Sequence, residues 1–411
     1  MITKKQLKNY AKLAIKLGVN LQKGQELIIN SPVESAEFAR LATEEAYKAG
    51  AKRVWVKWMD DTVSRINMEN QSIETLQDFP QYLIDEAHYQ VDNRFAYLFV
   101  SSTDPELYSK IPQEKLKASQ MARIKAIRFS VEARSSNLCR WTIVSVPTVA
   151  WAKKIFPNAN TAHAAIDLLW TGIIKSMRLD TVDPIKAWED HIAHLSRRAE
   201  FLNENNFHHI HMINEKGTDL NVALAKNHIW MAAGEKAQDG IDFTANMPTE
   251  EVFTAPDKYN VNGVLVNALP LCHNGNIIDD FSISFKDGRI TDFSAKVGYD
   301  TLKQAIETDE GSHHLGEIAL IGKNSPIAMQ HILYYNTLFD ENASCHLAIG
   351  AAYPTNVKGG NDMTTEQKDK AGINESMTHI DFMIGTEDMK IFGVKDNGEE
   401  IQLFDDGDWI I

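Results

Sequence analysis

The amino-acid sequence predicts an α/β N-terminal domain with a mainly parallel sheet, followed by an α+β domain with a mixed or antiparallel sheet. In the first half, short apolar runs alternate with helical stretches, the pattern of βαβ units. From about Phe207 onward the pattern turns to period-two alternation broken by tight turns, the mark of hairpins. At 411 residues the chain is also too long for one ordinary core, so two domains are expected.

The elements follow in order. Leu7, Ala11, Leu13, Ala14 and Leu17 recur at helical spacing, and Gly18 stops that helix. The apolar run Glu26–Asn30, closed by Ser31-Pro32, reads as a buried strand. Ser35 starts a helix through Phe38, Leu41, Ala42 and Ala46 that ends at Gly50, and Arg53–Met59 reads as the next strand. Strand, helix and strand on short turns imply parallel pairing with a right-handed crossover. Phe95–Val100 is a further strand with a loop over 101–105, a charged helix runs from Glu114 to Arg134, and Trp141–Val146 is a fourth strand ended by Pro147-Thr148. Ligands usually bind at such carboxyl-end loops. Yet the chain has neither GxGxxG nor GxxxxGK[ST], so the sheet announces no nucleotide site. Residues 149–205 read as almost continuous helix, broken at Pro157 and Pro184. Asp183-Pro184 is a cap followed by proline at the first helical position. The domains are accordingly placed at 1–182 and 183–411.

In the second half, His209–Ile213 and Asp219–Leu224 alternate on either side of a turn over Glu215–Thr218, a β-hairpin. Phe281–Phe285 with its Lys286-Asp287-Gly288 turn is a second one. His208, His209 and His211, with no carboxylates beside them in sequence, read as ordinary strand histidines, and His313-His314 as an exposed turn.

Composition narrows the classes. No stretch of about 18 apolar residues exists, and the basic start lacks a following apolar run, so a full-length cytoplasmic protein with no membrane partner is expected. Cys139, Cys272 and Cys345 are odd in number and far apart, which argues against a disulfide framework. A formal net charge of −14 argues against nucleic acid as a partner and suits divalent cations or cationic substrates.

One scattered set of residues carries chemistry. Glu250-Glu251 precede a Val252–Thr254 strand; adjacent residues on an extended chain point to opposite faces, so only one can face a site. Glu317 leads the apolar run Ile318–Ile321, where a buried carboxylate needs a cation or a hydrogen-bonded partner. Glu341 and His346 flank a short strand or turn. His379 and Asp381, two apart on a strand, share one face. Glu251, Glu317, Glu341, His346, His379 and Asp381 make four carboxylates and two imidazoles. Mixed oxygen and nitrogen donors suit Zn, Mn or Co. Six are too many for one tetrahedral ion, but suit two divalent ions about 3.5–4 Å apart with a bridging carboxylate. Such a pair activates water and polarises a carbonyl.

At these motifs the sequence resembles the M29 family of metallo-aminopeptidases. The matching pieces are Pro248–Thr254, Leu315-Gly316-Glu317, Ala352-Tyr353-Pro354-Thr355 and Asn374-Glu375-Ser376 through His379–Gly385, with Val146–Ala152 and Phe156-Pro157 in the first half. Val146 departs from the tyrosine expected there. The resemblance implies an exopeptidase that removes N-terminal residues from short peptides with two divalent metals, and a homodimer enclosing its active sites. The ligands it implies are Glu251, Glu317, Glu341, His346, His379 and Asp381, with Glu317 bridging. Tyr353 becomes a ligand or a stabiliser of the tetrahedral oxyanion, and Glu250 or a weakly bound carboxylate the proton acceptor. Two other classes are weighed. A phosphoesterase calls for basic residues among the motifs, and the nearest are Lys323 and Lys358. A non-catalytic binding protein on the same scaffold is expected to have lost ligands, and all six are present.

Overall fold

The structure, a computed structural model, describes residues 2–102, 104–273 and 276–411. The chain divides into two compact units, residues 1–188 with 234–247, and residues 189–233 with 248–411. Residues 234–247 thus return to the first unit, an excursion that the contiguous expectation of 1–182 and 183–411 did not contain.

In the first unit, α1 (Lys4–Leu13) opens on a capping box between Thr3 and Gln6. The helix expected to run to Leu17 changes to a wider π-type turn over Ala14–Gly18. Strands β1 (Glu26–Pro32) and β2 (Arg53–Met59) flank α2 (Ala36–Lys48) and pair in parallel from Glu26↔Arg53 to Pro32↔Met59. Pro32 does not close β1 early, because the pairing of β1 with β3 (Ala96–Val100) stops at Asn30. Beyond that point the missing N–H costs no ladder bond on that side. Helices α3 (Asp61–Asn70), α4 (Ile73–Gln77) and α5 (Gln81–Asp92) fill a stretch that no sequence signal had assigned; the first two are capped by Asp60 and Ser72. After α6 (Gln113–Ser135), β4 (Trp141–Val144) completes a parallel sheet in the order β2-β1-β3-β4. The nearly continuous helix over 149–205 resolves into α7 (Val149–Ile155), α8 (Ala162–Ser176) and α9 (Pro184–Asn205). Asp183 caps α9 as expected, accepting from the amides of Ile185 and Lys186.

The second unit begins within α9. The hairpin of β5 (His209–Ile213) and β6 (Asp219–Leu224) forms as expected. The chain then passes through the first unit as a short hairpin, β7 (Glu235–Lys236) and β8 (Asp242–Phe243). It returns as β9 (Val252–Thr254), β10 (Pro256–Val266), β11 (Leu271–His273), β12 (Asn276–Lys286) and β13 (Arg289–Val297). Asp287 and Gly288 both hold positive φ at the β12–β13 turn, the conformation that matches the twist of a tight hairpin. After α10 (Tyr299–Ile306) come β14 (Leu315–Leu320), α11 (Thr337–Asp340), β15 (His346–Gly350), α12 (Thr365–Lys370) and β16 (His379–Met383). Strands β17 (Lys390–Val394), β18 (Glu400–Asp405) and β19 (Asp408–Trp409) end the chain.

These strands form two antiparallel sheets. The larger runs β11-β12-β10-β6-β5-β17-β18-β19 with β13 beside β12; the smaller runs β16-β15-β14-β9. One face of the small sheet, with Val252, Ile318, Leu347, Ile349, Ile380 and Phe382, is buried in the unit's main core together with Ile210, Val222 and Ile391 of the large sheet. That face fixes the register. A slip of one residue in β15 would expose Leu347 and Ile349, at about 1.5–3 kcal/mol for each side chain. Among the described residues no helix is long and apolar enough to cross a membrane.

Tyr10 tests the packing of the first unit. Its buried hydroxyl donates to Ser145 O at 2.9 Å and accepts from Ser145 N at 3.1 Å. Tyr10→Phe orphans two buried backbone groups and is expected to cost about 1–3 kcal/mol in urea unfolding. A change below about 0.5 kcal/mol would show that this pair is not needed.

Candidate metal centre

Strand pairing gathers the candidate residues on the other face of the small sheet. Ala319 lies opposite both Phe253 and His346, and Ala348 opposite both Glu317 and Asp381. Opposed residues share a face, as do residues two apart on a strand. Glu317, His346, His379 and Asp381 therefore project together, and Glu251, two before Phe253, continues their row. Ala319 and Ala348 sit between them, where larger side chains would take the space the polar groups occupy.

Glu317 reaches this face only through a bulge. Leu315 pairs with Ile349 on the core face, yet Glu317, two residues on, pairs with Ala348 on the polar face. The extra residue, Gly316, reverses the alternation and turns the carboxylate out of the core. A Cβ at Gly316 would lie 2.3 Å from Gly350 O and 2.5 Å from Ala351 O, so no other residue fits without moving backbone.

The result is two three-residue groups with one member in common. Donor atoms of Glu251, Glu317 and His346 lie within 4.8 Å of one another, and so do those of Glu317, His379 and Asp381. His346 Nε2 is 3.4 Å from both Glu251 Oε2 and Glu317 Oε1. His379 Nε2 is 3.1 Å from Asp381 Oδ1 and 3.6 Å from Glu317 Oε2. Each imidazole is tethered at its far nitrogen: His346 Nδ1 donates to Glu341 O at 2.9 Å, and His379 Nδ1 to Ala351 O at 2.7 Å. A carbonyl only accepts, so Nδ1 carries the hydrogen and Nε2 is aimed at the carboxylates. Metal-ligating histidines are oriented this way.

Electrostatics point the same way. Burial pushes the His346 and His379 imidazoles down, but the surrounding acids override it. Glu317, Glu251 and Asp381 bring His346 up to about 9, and Asp381 and Glu317 bring His379 up to about 10. Burial acts to raise Asp381, but the neighbouring imidazoles, His379 foremost, hold it below the ordinary carboxylate value. Without a cation the cluster thus gathers protons as counter-charge. A buried carboxylate costs several kcal/mol unless paired, and this donor set of carboxylates and imidazoles fits divalent Zn, Mn or Co.

The remaining candidates are placed differently. Glu341 sits in a 3₁₀ turn after α11, outside both groups; burial and then the charges of Asp381, Glu251 and Glu317 raise its carboxyl well above the ordinary value. Tyr353 stands in the loop after β15, its ring 5.2 Å from that of His379 and 6.2 Å from that of Phe253. Glu250 is buried like Glu251 but directed elsewhere: its Oε2 is 3.5 Å from His191 Nε2, and it belongs to neither group. His191, on α9, and the fully buried Asn342 were not singled out in the sequence. Asn342 had one local signal, its position beside Glu341; His191 had none, since its partners lie far along the chain. Two other readings need correction. His314 is not exposed but buried, its Nδ1 against Lys258 O and Gly288 O. His211 does have a carboxylate neighbour, Asp219 across the hairpin at 2.8 Å. Of the basic residues considered, Lys323 directs its Nζ to Glu387 O.

A profile described as thermophilic metalloprotease (M29) matches residues 3–409. Aminopeptidase AmpS of Bacillus subtilis (strain 168) is 42% identical over 403 residues, 98% of each chain. Aminopeptidase T of Thermus aquaticus is 36% identical over 405 residues, again 98% of each. Among solved structures, wild-type AmpT from Thermus thermophilus superposes with a TM-score of 0.92 at 36% identity, covering 99% of this chain and 100% of that one.

Gly316→Ala tests the bulge. Forcing a methyl against two carbonyls, one of which orients His379, is expected to cost about 1–3 kcal/mol in urea unfolding. An unchanged midpoint would show that the bulge can open without penalty.

Proposed function

Because the chain belongs to the M29 family of thermophilic metalloproteases, we propose that it is an aminopeptidase that removes N-terminal residues from short peptides with two divalent ions, Zn, Co or Mn, per chain. The observation that carries this is the pair of three-residue groups sharing Glu317. Glu251 and His346 would hold one ion, His379 and Asp381 the other, and Glu317, common to both groups, would serve both. Glu341 is the outermost, weakly held ligand. Both sequence relatives compared above are named aminopeptidases, and neither supports a phosphoesterase.

When bound, the ions supply Lewis acidity and lower the pKa of water. The chain's own residues do the rest. The two Nδ1 tethers hold the imidazoles in one orientation, and the rigid ladder holds the carboxylates at fixed spacing. Tyr353, beside His379, stabilises the oxyanion that develops at the first peptide carbonyl. Glu341, held beside the two groups by the Asn342 amide that donates to its Oε1, takes the proton from the attacking water and passes it to the leaving amine. The acid-rich face also suits the substrate's free ammonium group. The three cysteines form no disulfide with one another, which suits a reducing compartment such as the cytoplasm. A homodimer is the proposed assembly, to be read from light scattering.

Three results are expected. A chelator abolishes hydrolysis of aminoacyl chromogenic substrates and Co, Mn or Zn restores it, while phosphomonoesters are untouched; full activity in chelator would sink the proposal. Glu317→Ala abolishes binding at both positions by elemental analysis, whereas retention of two ions per chain would remove its bridging role. Metal uptake releases protons. The metal-free folded protein keeps His346 and His379 protonated up to about 9 and about 10, so ions must displace these protons at neutral pH. Apparent affinity therefore rises with pH through that range. Calorimetry in buffers of different ionisation enthalpy should show about two protons released by the histidines, besides any that Glu341 gives up, and none released would contradict the ligand roles of the histidines.

A further inference from the structure

The adjacent carboxylates Glu250 and Glu251 are both buried but serve different partners. Glu251 extends the row of Glu317, His346, His379 and Asp381. Glu250 meets α9, where His191 and Arg198 lie seven residues apart and so on one helical face. His191 Nε2 donates to Thr249 O at 2.8 Å and stands 3.5 Å from Glu250 Oε2. Since a carbonyl only accepts, this nitrogen carries a hydrogen and presents its positive edge to the carboxylate. The charge of Arg198 reaches Glu250 as well; burial lowers that guanidinium's pKa, while Asp408 and Glu250 act to raise it. On the other side, Asn342 Oδ1 accepts from Glu250 N at 2.7 Å. The Asn342 amide donates to Leu338 O at 3.0 Å and to Glu341 Oε1 at 3.3 Å. The turn that delivers Glu251 is therefore gripped from α9 through Thr249 and Glu250, and from the Glu341 turn through Asn342.

We propose that Glu250 is a positioning residue, clamped between His191 and Asn342, that fixes Glu251 in the His346 position rather than accepting a proton in the reaction. This rests on the two-ion reading above. The clamp acts on one position only: His379 and Asp381 lie on β16, at the far edge of the small sheet from β9.

Metal-free protein titrated with Co²⁺, followed by visible absorbance and calorimetry, tests this without any turnover. Asp381→Asn, which damages the other position, identifies which binding step is which. Glu250→Ala is expected to weaken the His346 position by about 10–100-fold, the usual cost of losing a group that orients a ligand, and to leave the other within about 2-fold. Glu250→Gln, which keeps the shape and an acceptor for His191, restores the affinity to within about 3-fold. His191→Ala, which leaves both carboxylates in place, gives the same one-sided loss and serves if Glu250→Ala does not fold. General destabilisation would not select one position. Equal affinities at both positions in Glu250→Ala and His191→Ala would overturn the proposal. So would a Glu250→Gln protein that binds both ions normally but loses about a thousandfold in kcat, since that is the behaviour of a proton acceptor. A wild-type protein that binds no Co²⁺ would overturn the two-ion reading itself, an outcome distinct from either.

Discussion

Four carboxylates held on or beside one small sheet, three of them buried and Asp381 half-buried, are the constraint to which the rest of the second unit answers. At about 4 Å, two like charges repel by about 4 kcal/mol at an effective dielectric constant of 20. Glu251, Glu317, Glu341 and Asp381 would separate if the backbone allowed it. It does not, because four of the five residues in the two groups lie within paired antiparallel strands on the other side of which sits the unit's main core. The apolar face supplies the stability and the polar face spends part of it, holding charge where a cation finds its shell already assembled. The raised imidazoles of His346 and His379 record the same tension, since the cluster takes up protons in place of metal.

Two devices turn a plain sheet into such a site. The bulge at Gly316 reverses the alternation of β14 for one step, so that Leu315 stays in the core while Glu317 leaves it. Without it, the period of two would bury the one carboxylate common to both groups. The second device is the backbone carbonyl as a tether. Glu341 O and Ala351 O each hold a histidine by Nδ1. Both come from irregular segments next to β15, and irregular backbone has carbonyls to spare that a ladder does not.

Much of this was legible in the sequence because it is local. The βαβ start, the hairpin at Asp287-Gly288 and the same-face pair His379 and Asp381 follow from period and turn chemistry alone. The acids and histidines stood out as residue types that apolar strands do not tolerate without partners. What was not legible is what depends on register. Nothing in the stretch 61–92 alternates strongly enough to announce α3 to α5, which bury few of their side chains. The role of Gly316 appears only once Leu315 and Glu317 are seen opposite Ile349 and Ala348. His314 looked like an exposed turn because the carbonyls that receive it, Lys258 O and Gly288 O, come from distant strands.

Glu250 and Glu251 show how far the alternation rule reaches. From it, one of the two should face the site and the other should not, and the bland alternative for the second was solvent. The structure gives a third option, since Glu250 is as buried as its neighbour. A carboxylate with no cation of its own would be costly there, unless its partners repay the desolvation. Arg198 on α9 provides positive charge, His191 on the same helix presents its Nε2–H, and Asn342 takes up the backbone amide. The retention of a second buried acid so close to an acid-rich cluster is intelligible if its attraction to α9 holds the chain against the repulsion on the other face. On that view the two adjacent glutamates form one mechanical unit, with Glu250 pulling toward the helix and Glu251 held toward Glu317 and His346.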